Sequence, residues 1–329
     1  MNEPRLPYFV TGGSGLIGAC VTRSLVQSGH PVTVYDLAPD IAFLDELIED
    51  RDARARVSVV AGDVTDLPQL LRTMQESGAR RVLHLAALLG KKSDENPLRA
   101  LKVNVESVIN VFEAALSLGI ERVVWASSVG VFGSRHRVGE TVALPNDAPH
   151  KPSTFYGATK SFAERVALHY RRTRSLNAVG LRFVLVYGYG KDRTIARGTG
   201  ADFTSELIDK PALGIAGQVP AGGALIDFLD IEDATRAVLL AAEAPPGRSV
   251  ALNITGYRAS LREAAAIAQR LMPEADITVE EGDWNGTDHH YDGAIALAEI
   301  GYAPTITIEE GFRRNIEEVR RRAAAIRRP

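Results

Sequence analysis

The chain has 329 residues, 45% hydrophobic and 24% charged, and its 38 basic and 41 acidic side chains leave a net charge of −3, which excludes a basic nucleic-acid binder and an acidic disordered tail. A single cysteine, Cys20, excludes a disulfide framework and a cysteine-held metal cluster; it lies in an apolar helical stretch and is expected to pack there in a reducing compartment. No apolar run reaches the roughly 18 to 20 residues of a membrane span, and residues 1–7 carry no apolar signal core, so the expectation is a cytoplasmic protein without a membrane partner.

In chain order, 8–10 reads as a strand, 16–28 as a helix stopped by Gly29, and 32–35 and 57–60 as strands. A helix over 67–77, a strand over 81–85, a long helix over 97–118 and a strand over 122–126 follow, then a helix over 156–172 and a strand over 178–184. Short apolar strands separated by helices predict an α/β fold with a parallel sheet covered on both faces. Glycines interrupt every periodicity across 188–224, which reads as irregular or short-element structure. Helical patterns return over 232–242 and 261–271 and from 308 through the terminal arginines.

Between the first strand and the first helix stands Val10-Thr11-Gly12-Gly13-Ser14-Gly15-Leu16-Ile17-Gly18. Glycines there let the backbone turn tightly and approach a pyrophosphate that the helix amides then face, although the same triplet also serves as a plain strand-to-helix turn. Asp36 ends the second strand 18 residues after Gly18, where a carboxylate accepts from both hydroxyls of an adenosine ribose and repels a 2′-phosphate. With Leu37 and Ala38 beside it and no arginine, that favours NAD over NADP, the other reading being a turn aspartate. The expected architecture is a Rossmann-type doubly wound sheet over 1–186, with a strand and helix from about 225–245, and a smaller α/β substrate lobe from 187–224 and 246–329.

Tyr156 and Lys160 are four apart on a predicted helix and share a face. An ammonium near a phenol favours the phenolate and brings it toward general acid/base work. Ser127 and Ser128 follow the strand over 122–126, at the carboxyl edge where ligands of open parallel sheets bind.

Together these pieces resemble the extended short-chain dehydrogenase/reductase superfamily, its NAD-dependent epimerase/dehydratase group. The resemblance runs through Gly62-Asp63-Val64-Thr65-Asp66, His84-Leu85-Ala86-Ala87, Glu95-Asn96-Pro97, Asn104-Val105, Ser127-Ser128-Val129-Gly130-Val131-Phe132-Gly133 and Gly301-Tyr302-Ala303-Pro304. It implies Asp63 and Val64 beside adenine, Leu85, Ala86 and Ala87 lining the cofactor, and Lys160 on the nicotinamide ribose. Tyr156 would exchange the proton while Ser128 polarises the reacting oxygen. Asn104 matches a helix asparagine near the active site, and a backbone-satisfied interior polar residue is the other reading.

Dehydratases of the group carry an Asp-Glu pair after the serine strand, and here Ser128-Val129-Gly130 offers none. Sugar-nucleotide epimerases carry an asparagine after 181–183 and an arginine before the later Asp-Phe pair, whereas this chain has Val184-Leu185-Val186 and Ile226 before Asp227-Phe228. Leu185, Asp227 and the loop residues Arg193 and Arg197 are the substrate candidates; a guanidinium fork suits a carboxylate or phosphate, and solvated loop charge is the alternative.

The expected reaction is therefore hydride transfer at a secondary alcohol or ketone of a small, polar, carbohydrate-derived substrate. A sugar or sugar-nucleotide epimerase is the alternative, and a non-catalytic NAD-binding sensor a second. The resemblance also implies a homodimer through the helices over 97–118 and 156–172. Glutamates interleave the terminal arginines, which reads as a solvated helix face rather than a nucleic-acid site. Adjacent His289 and His290, with Asp288 and Asp292, diverge too far for a metal reading to be preferred, and no metal is expected.

Overall fold

A computed structural model describes residues 5–134, 142–196, 203–282, 286 and 289–326. Its strands are β1 (Tyr8–Thr11), β2 (Val32–Asp36), β3 (Val57–Ala61), β4 (Arg81–His84), β5 (Arg122–Ser128), β6 (Ala178–Phe183), β7 (Leu185–Tyr187), β8 (Gly217–Val219), β9 (Leu225–Asp230), β10 (Ala251–Ile254), β11 (Tyr257–Ser260) and β12 (Ile277–Val279). Seven form one parallel sheet in the order β10-β6-β5-β4-β1-β2-β3.

Side chains alternate across that sheet, so Tyr8 and Val10 join the core under the helices Leu16–Gln27 and Ile231–Glu243, while Phe9 points the other way. Phe9 packs with Trp125, Phe112 and Ala163 under the helices Leu67–Ser77, Ser107–Leu118 and Phe155–Arg174. A third core holds Phe203, Leu207, Ile226, Phe228, Leu261 and Phe312 together in the smaller lobe. Across this lobe β9 pairs with β7 and β11, and β8 pairs with β12.

One expectation is corrected. A strand from about 225–245 was to extend the large sheet; instead β9 belongs to the lobe, because its Ile226 and Phe228 fill the lobe core. The edge strand is β10, which follows the helix Ile231–Glu243 and lies beside β6 with Ala251 opposite Gly180. The helix over 97–118 runs unbroken, though not with one geometry. A π-helical turn, Lys102–Glu106, lies between Pro97–Leu101 and Ser107–Leu118, and there the Ser107 hydroxyl donates to the Val103 carbonyl. Among the described residues no helix is long and apolar enough to cross a membrane.

Candidate active site

β1 delivers the chain into the glycine loop at the carboxyl edge of the sheet. Gly12 has φ +66°, and a Cβ there would lie 2.7 Å from the Ala86 amide nitrogen; at Gly18 it would lie 2.1 Å from the Gly12 carbonyl oxygen. Only glycine lets the β4 end, the loop and the first helix approach so closely. Gly15 is different, since a Cβ there meets only the Gly12 oxygen, at 3.3 Å, and the residue sits where the helix opens. That helix starts at Leu16 and Ile17 with no side-chain cap and no acidic residue in its first turn, which leaves its positive end for an anion.

Asp36 closes β2, and its carboxylate accepts from the Ser14 hydroxyl at 2.7 Å and the Ser14 amide at 3.3 Å. The loop and the carboxylate are thus one unit, and the donor set fits a dinucleotide: uncapped amides for the pyrophosphate and a carboxylate for ribose hydroxyls. Asp63 accepts from the Thr65 amide at 2.9 Å and from Arg99 at 2.9 Å. Burial pushes its carboxyl up, but these bonds outweigh that and hold it below the usual range. Val64 is buried, and its carbonyl accepts from Asn110. Leu85, Ala86 and Ala87 are half-buried after β4, and Leu85 and Ala86 donate their amides to Thr11.

Tyr156 lies in the first turn of the helix Phe155–Arg174, which Thr154 caps through the Gly157 amide at 3.0 Å. That end of the helix rests on the turn after β5. A Cβ on Gly157 would come within 2.3 Å of the Gly130 carbonyl oxygen. This contact seats the Tyr156 ring beside Ser128, whose Oγ accepts from the Gly130 amide at 3.0 Å. Burial pushes the phenol up to about 12 against the lowering effect of Ser128.

Lys160 stands beside the Tyr156 ring and gives its hydrogen bond to backbone. Its Nζ donates to the Ala126 carbonyl at 2.8 Å and stands 5.7 Å from the centre of the Tyr156 ring. The group that lowers the phenol is therefore Ser128, with the ammonium held against the strand. Burial pushes Lys160 down to about 8, and the nearby Glu164 opposes the shift.

Asn104 sits in the π turn and spends its amide on structure. It accepts from the Leu88 amide at 2.8 Å and donates to the Leu88 carbonyl at 2.9 Å and to Thr159 at 3.1 Å. The π geometry thus ties the loop after β4 to the Tyr156 helix. A second chain, unseen in the sequence, joins Thr11 to His84 Nδ1 at 2.7 Å and His84 Nε2 to Ser107 at 3.1 Å. Burial drives His84 down to about 3, so the ring is neutral and joins the glycine loop to the π turn without charge.

The substrate candidates do not converge. Arg193 pairs with Asp40 at 3.2 Å and Glu46 at 2.6 Å, its guanidinium 4.7 Å from the centre of the Phe43 ring. It clasps the helix Ile41–Leu47 of the cofactor side instead of lying loose in a loop, because two carboxylates and an aromatic face meet it there. Asp227 is buried and accepts from the Gly256 amide at 2.8 Å; burial pushes its carboxyl up to about 6. Leu185 lies in β7 opposite Phe228. Arg197 and Asp288 fall outside the described residues.

The chain is similar to known proteins along most of its length. UDP-glucuronate 4-epimerase 3 of Arabidopsis thaliana is 28% identical over 93% of this chain and 74% of its own length. D-erythronate dehydrogenase of Cupriavidus necator is 28% identical over 94% of this chain and 97% of its own. The solved structure of MoeE5 in complex with UDP-glucuronic acid and NAD is 28% identical, covers 96% of this chain and 99% of its own, and superposes with a TM-score of 0.78. Residues 8–254, from β1 through β10, match the description "NAD dependent epimerase/dehydratase family". With the glycine loop, Asp36 and the Ser128–Tyr156–Lys160 set all inside that span, the chain belongs to the NAD-dependent epimerase/dehydratase family, an enzyme family of the extended short-chain dehydrogenase/reductase type.

Proposed function

We propose that the chain oxidises a secondary alcohol of a small polyhydroxylated, carbohydrate-derived acid, with Ser128, Tyr156 and Lys160 handling the proton. The observation that carries this reading is the convergence of Ser128, Tyr156 and Lys160 at the carboxyl end of β5, where Ser128 Oγ and the Tyr156 ring both lie against Gly130 and Lys160 Nζ stands 5.7 Å from the centre of that ring. Tyr156 takes the alcohol proton, Ser128 orients the reacting oxygen, and Lys160 supplies the positive charge that a phenolate needs in a buried site. NAD, when bound, supplies the hydride acceptor. Gly12, Gly15, Leu16, Ile17 and Gly18 hold its pyrophosphate, Asp36 its adenosine ribose, Asp63 and Val64 its adenine, and Leu85 to Ala87 the wall beyond, with Asn104 fixing that wall.

Two features favour a small acid over a nucleotide sugar. Ile226, 3% exposed, fills the lobe core where a diphosphate-gripping arginine would stand, and Leu185 is apolar. D-erythronate dehydrogenase also matches nearly end to end. A UDP-sugar 4-epimerase is the second reading, supported by the likeness to UDP-glucuronate 4-epimerase 3 and MoeE5. It uses the same three residues and differs in returning the hydride.

The test incubates the protein and NAD with D-erythronate and other sugar acids, following NADH absorbance, and in parallel with UDP-glucuronate and UDP-glucose, following C4 inversion by NMR. NADH formed in step with acid consumed is the expected outcome. C4 inversion without NADH accumulation replaces this reading with the epimerase. A homodimer belongs to the same reading: Leu98, Leu101 and Phe162 are 68%, 47% and 56% exposed on the helices expected to meet their copies. Light scattering at micromolar concentration measures it.

A further inference from the structure

Behind the Tyr156–Lys160 face lies a polar cluster that the reaction above leaves without a role. Glu164, one helical turn beyond Lys160, is 4% exposed and accepts from Ser127 Oγ at 2.6 Å and from Arg182 Nε and Nη2 at 2.8 and 2.6 Å. His150 Nε2 stands 3.3 Å from the same carboxylate, and its Nδ1 is 2.8 Å from Ser161 Oγ. Arg182, in mid-β6 and 6% exposed, gives Nη1 to the Asn146 carbonyl at 2.7 Å and Asn253 Oδ1 at 3.2 Å, and lies 5.0 Å over the Phe132 ring. A buried ion pair often stabilises a fold no better than an apolar pair of the same volume. Stability alone therefore does not explain one here. What the forked, fully bonded pair supplies is fixed geometry, and it fixes the residue next to Ser128 against the helix that carries Tyr156.

We propose, on the basis of the reaction above, that Glu164 and Arg182 are positioning residues: their ion pair locks the Ser127–Ser128 end of β5 to the Tyr156–Lys160 face, and the carboxylate is the counter-charge of Lys160. The titratable groups facing Lys160 are Tyr156 and Glu164 on its own helix and His84 from β4. Those facing Glu164 are Arg182 from β6 and His150 from the loop before the helix. Burial pushes Glu164 up, yet the bonds from Arg182, His150 and Ser127 outweigh it and hold the carboxyl at about 2, so it is ionised throughout the working range. Lys160 is depressed to about 8 by burial and loses its charge as pH rises through that value. Without the carboxylate that loss moves to lower pH.

The test labels the seven lysines of the chain at Cε with carbon-13, assigns the Lys160 signal with Lys160→Met, and titrates it by NMR in wild type, E164Q, R182M and the double variant E164Q/R182M. E164Q is expected to move the Lys160 midpoint down by about one pH unit, with the alkaline limb of kcat following. R182M, which keeps the carboxylate, is expected to leave the midpoint at or above wild type and lower kcat roughly ten- to a hundredfold with KM near its wild-type value. If E164Q does not fold, the double variant takes its place: it too lacks the carboxylate, and because it also lacks the Arg182 charge its downward shift is expected to be smaller than in E164Q. A Lys160 midpoint unchanged in E164Q or in the double variant, or wild-type kcat in R182M, overturns the proposal. Tyr156→Phe separates the two layers. Retained turnover there sinks the reaction itself, whereas turnover lost there with E164Q and R182M behaving as wild type sinks only the positioning role.

Discussion

The cofactor side and the substrate side of this molecule are built by different means. On the cofactor side, backbone makes the site: the glycine loop folds against Ala86 and its own carbonyl, and a lone carboxylate, Asp36, is tied in by the neighbouring Ser14. On the substrate side, the lobe is held by side chains far apart in sequence that reach back to the helix Ile41–Leu47. Arg193 reaches Glu46 across 147 positions, and Arg322 donates to the Glu46 carbonyl across 276. A site made of backbone constrains residue types within one short segment, whereas a site made of distant pairs constrains only their sum. The first kind is portable between substrates, and the second is where members of a family diverge.

The residue at the junction of the two sides carries the largest expected effect. Tyr156→Phe removes the hydroxyl proposed to exchange the proton and leaves the ring, the helix cap and Lys160 in place. Turnover on the identified substrate should fall by about 10² to 10⁴, the usual contribution of a general acid/base, with NAD affinity within a few-fold of wild type. Steady-state kinetics beside fluorescence titration of NADH checks both halves. A parallel loss of cofactor affinity would mean that Tyr156 belongs to the cofactor side and would blur the division drawn above.

Asp36→Ala tests the cofactor side by itself and ranks next. Losing the ribose hydrogen bonds should weaken NAD by about 1–3 kcal/mol, and removing the carboxylate should narrow discrimination against NADP. Isothermal titration with both dinucleotides measures it. A wild type that prefers NADP would show that Asp36 serves only to hold Ser14, making even the backbone site depend on a local side-chain pair.

How much of this was legible beforehand follows the same division. Six strands of the large sheet, the glycine loop, Asp36 and the Tyr156–Lys160 spacing are readable because each is a local pattern with a fixed period or a fixed residue type. The π turn at Lys102–Glu106 is not, since Ser107 bonding back to Val103 looks like any polar residue in a helix until the loop after β4 claims Asn104. The place of β9 was not legible, because a strand pattern does not say which sheet the strand joins; the lobe core that takes Ile226 and Phe228 decides it. Glu164 and Arg182 did leave a signal. A glutamate one turn past Lys160 on the same face, and an arginine in the middle of an apolar strand, are two buried charges that need each other.

Arg193 gives the smallest expected effect and the sharpest separation of the two readings of the substrate side. Its ion pairs with Asp40 and Glu46 are about one-third exposed at the arginine, so each contributes at most about 1 kcal/mol, and stacking over Phe43 adds a comparable amount. The helix it clasps begins five residues after Asp36 and is also held by Arg322, which reaches the Glu46 carbonyl and Glu49, so losing one clasp leaves the other in place. Arg193→Met, which keeps length and apolar contact with the ring, should therefore lower Tm by only about 2–4 °C and change KM for the substrate less than roughly threefold. An arginine that gripped an anionic substrate directly would behave otherwise. Its removal leaves a charge without its partner, which costs about 2 kcal/mol or more and raises KM at least thirtyfold. Measuring KM beside the melting curve in this one variant decides whether the guanidinium works for the fold or for the substrate, and a large rise in KM at an unchanged Tm would return Arg193 to the substrate side.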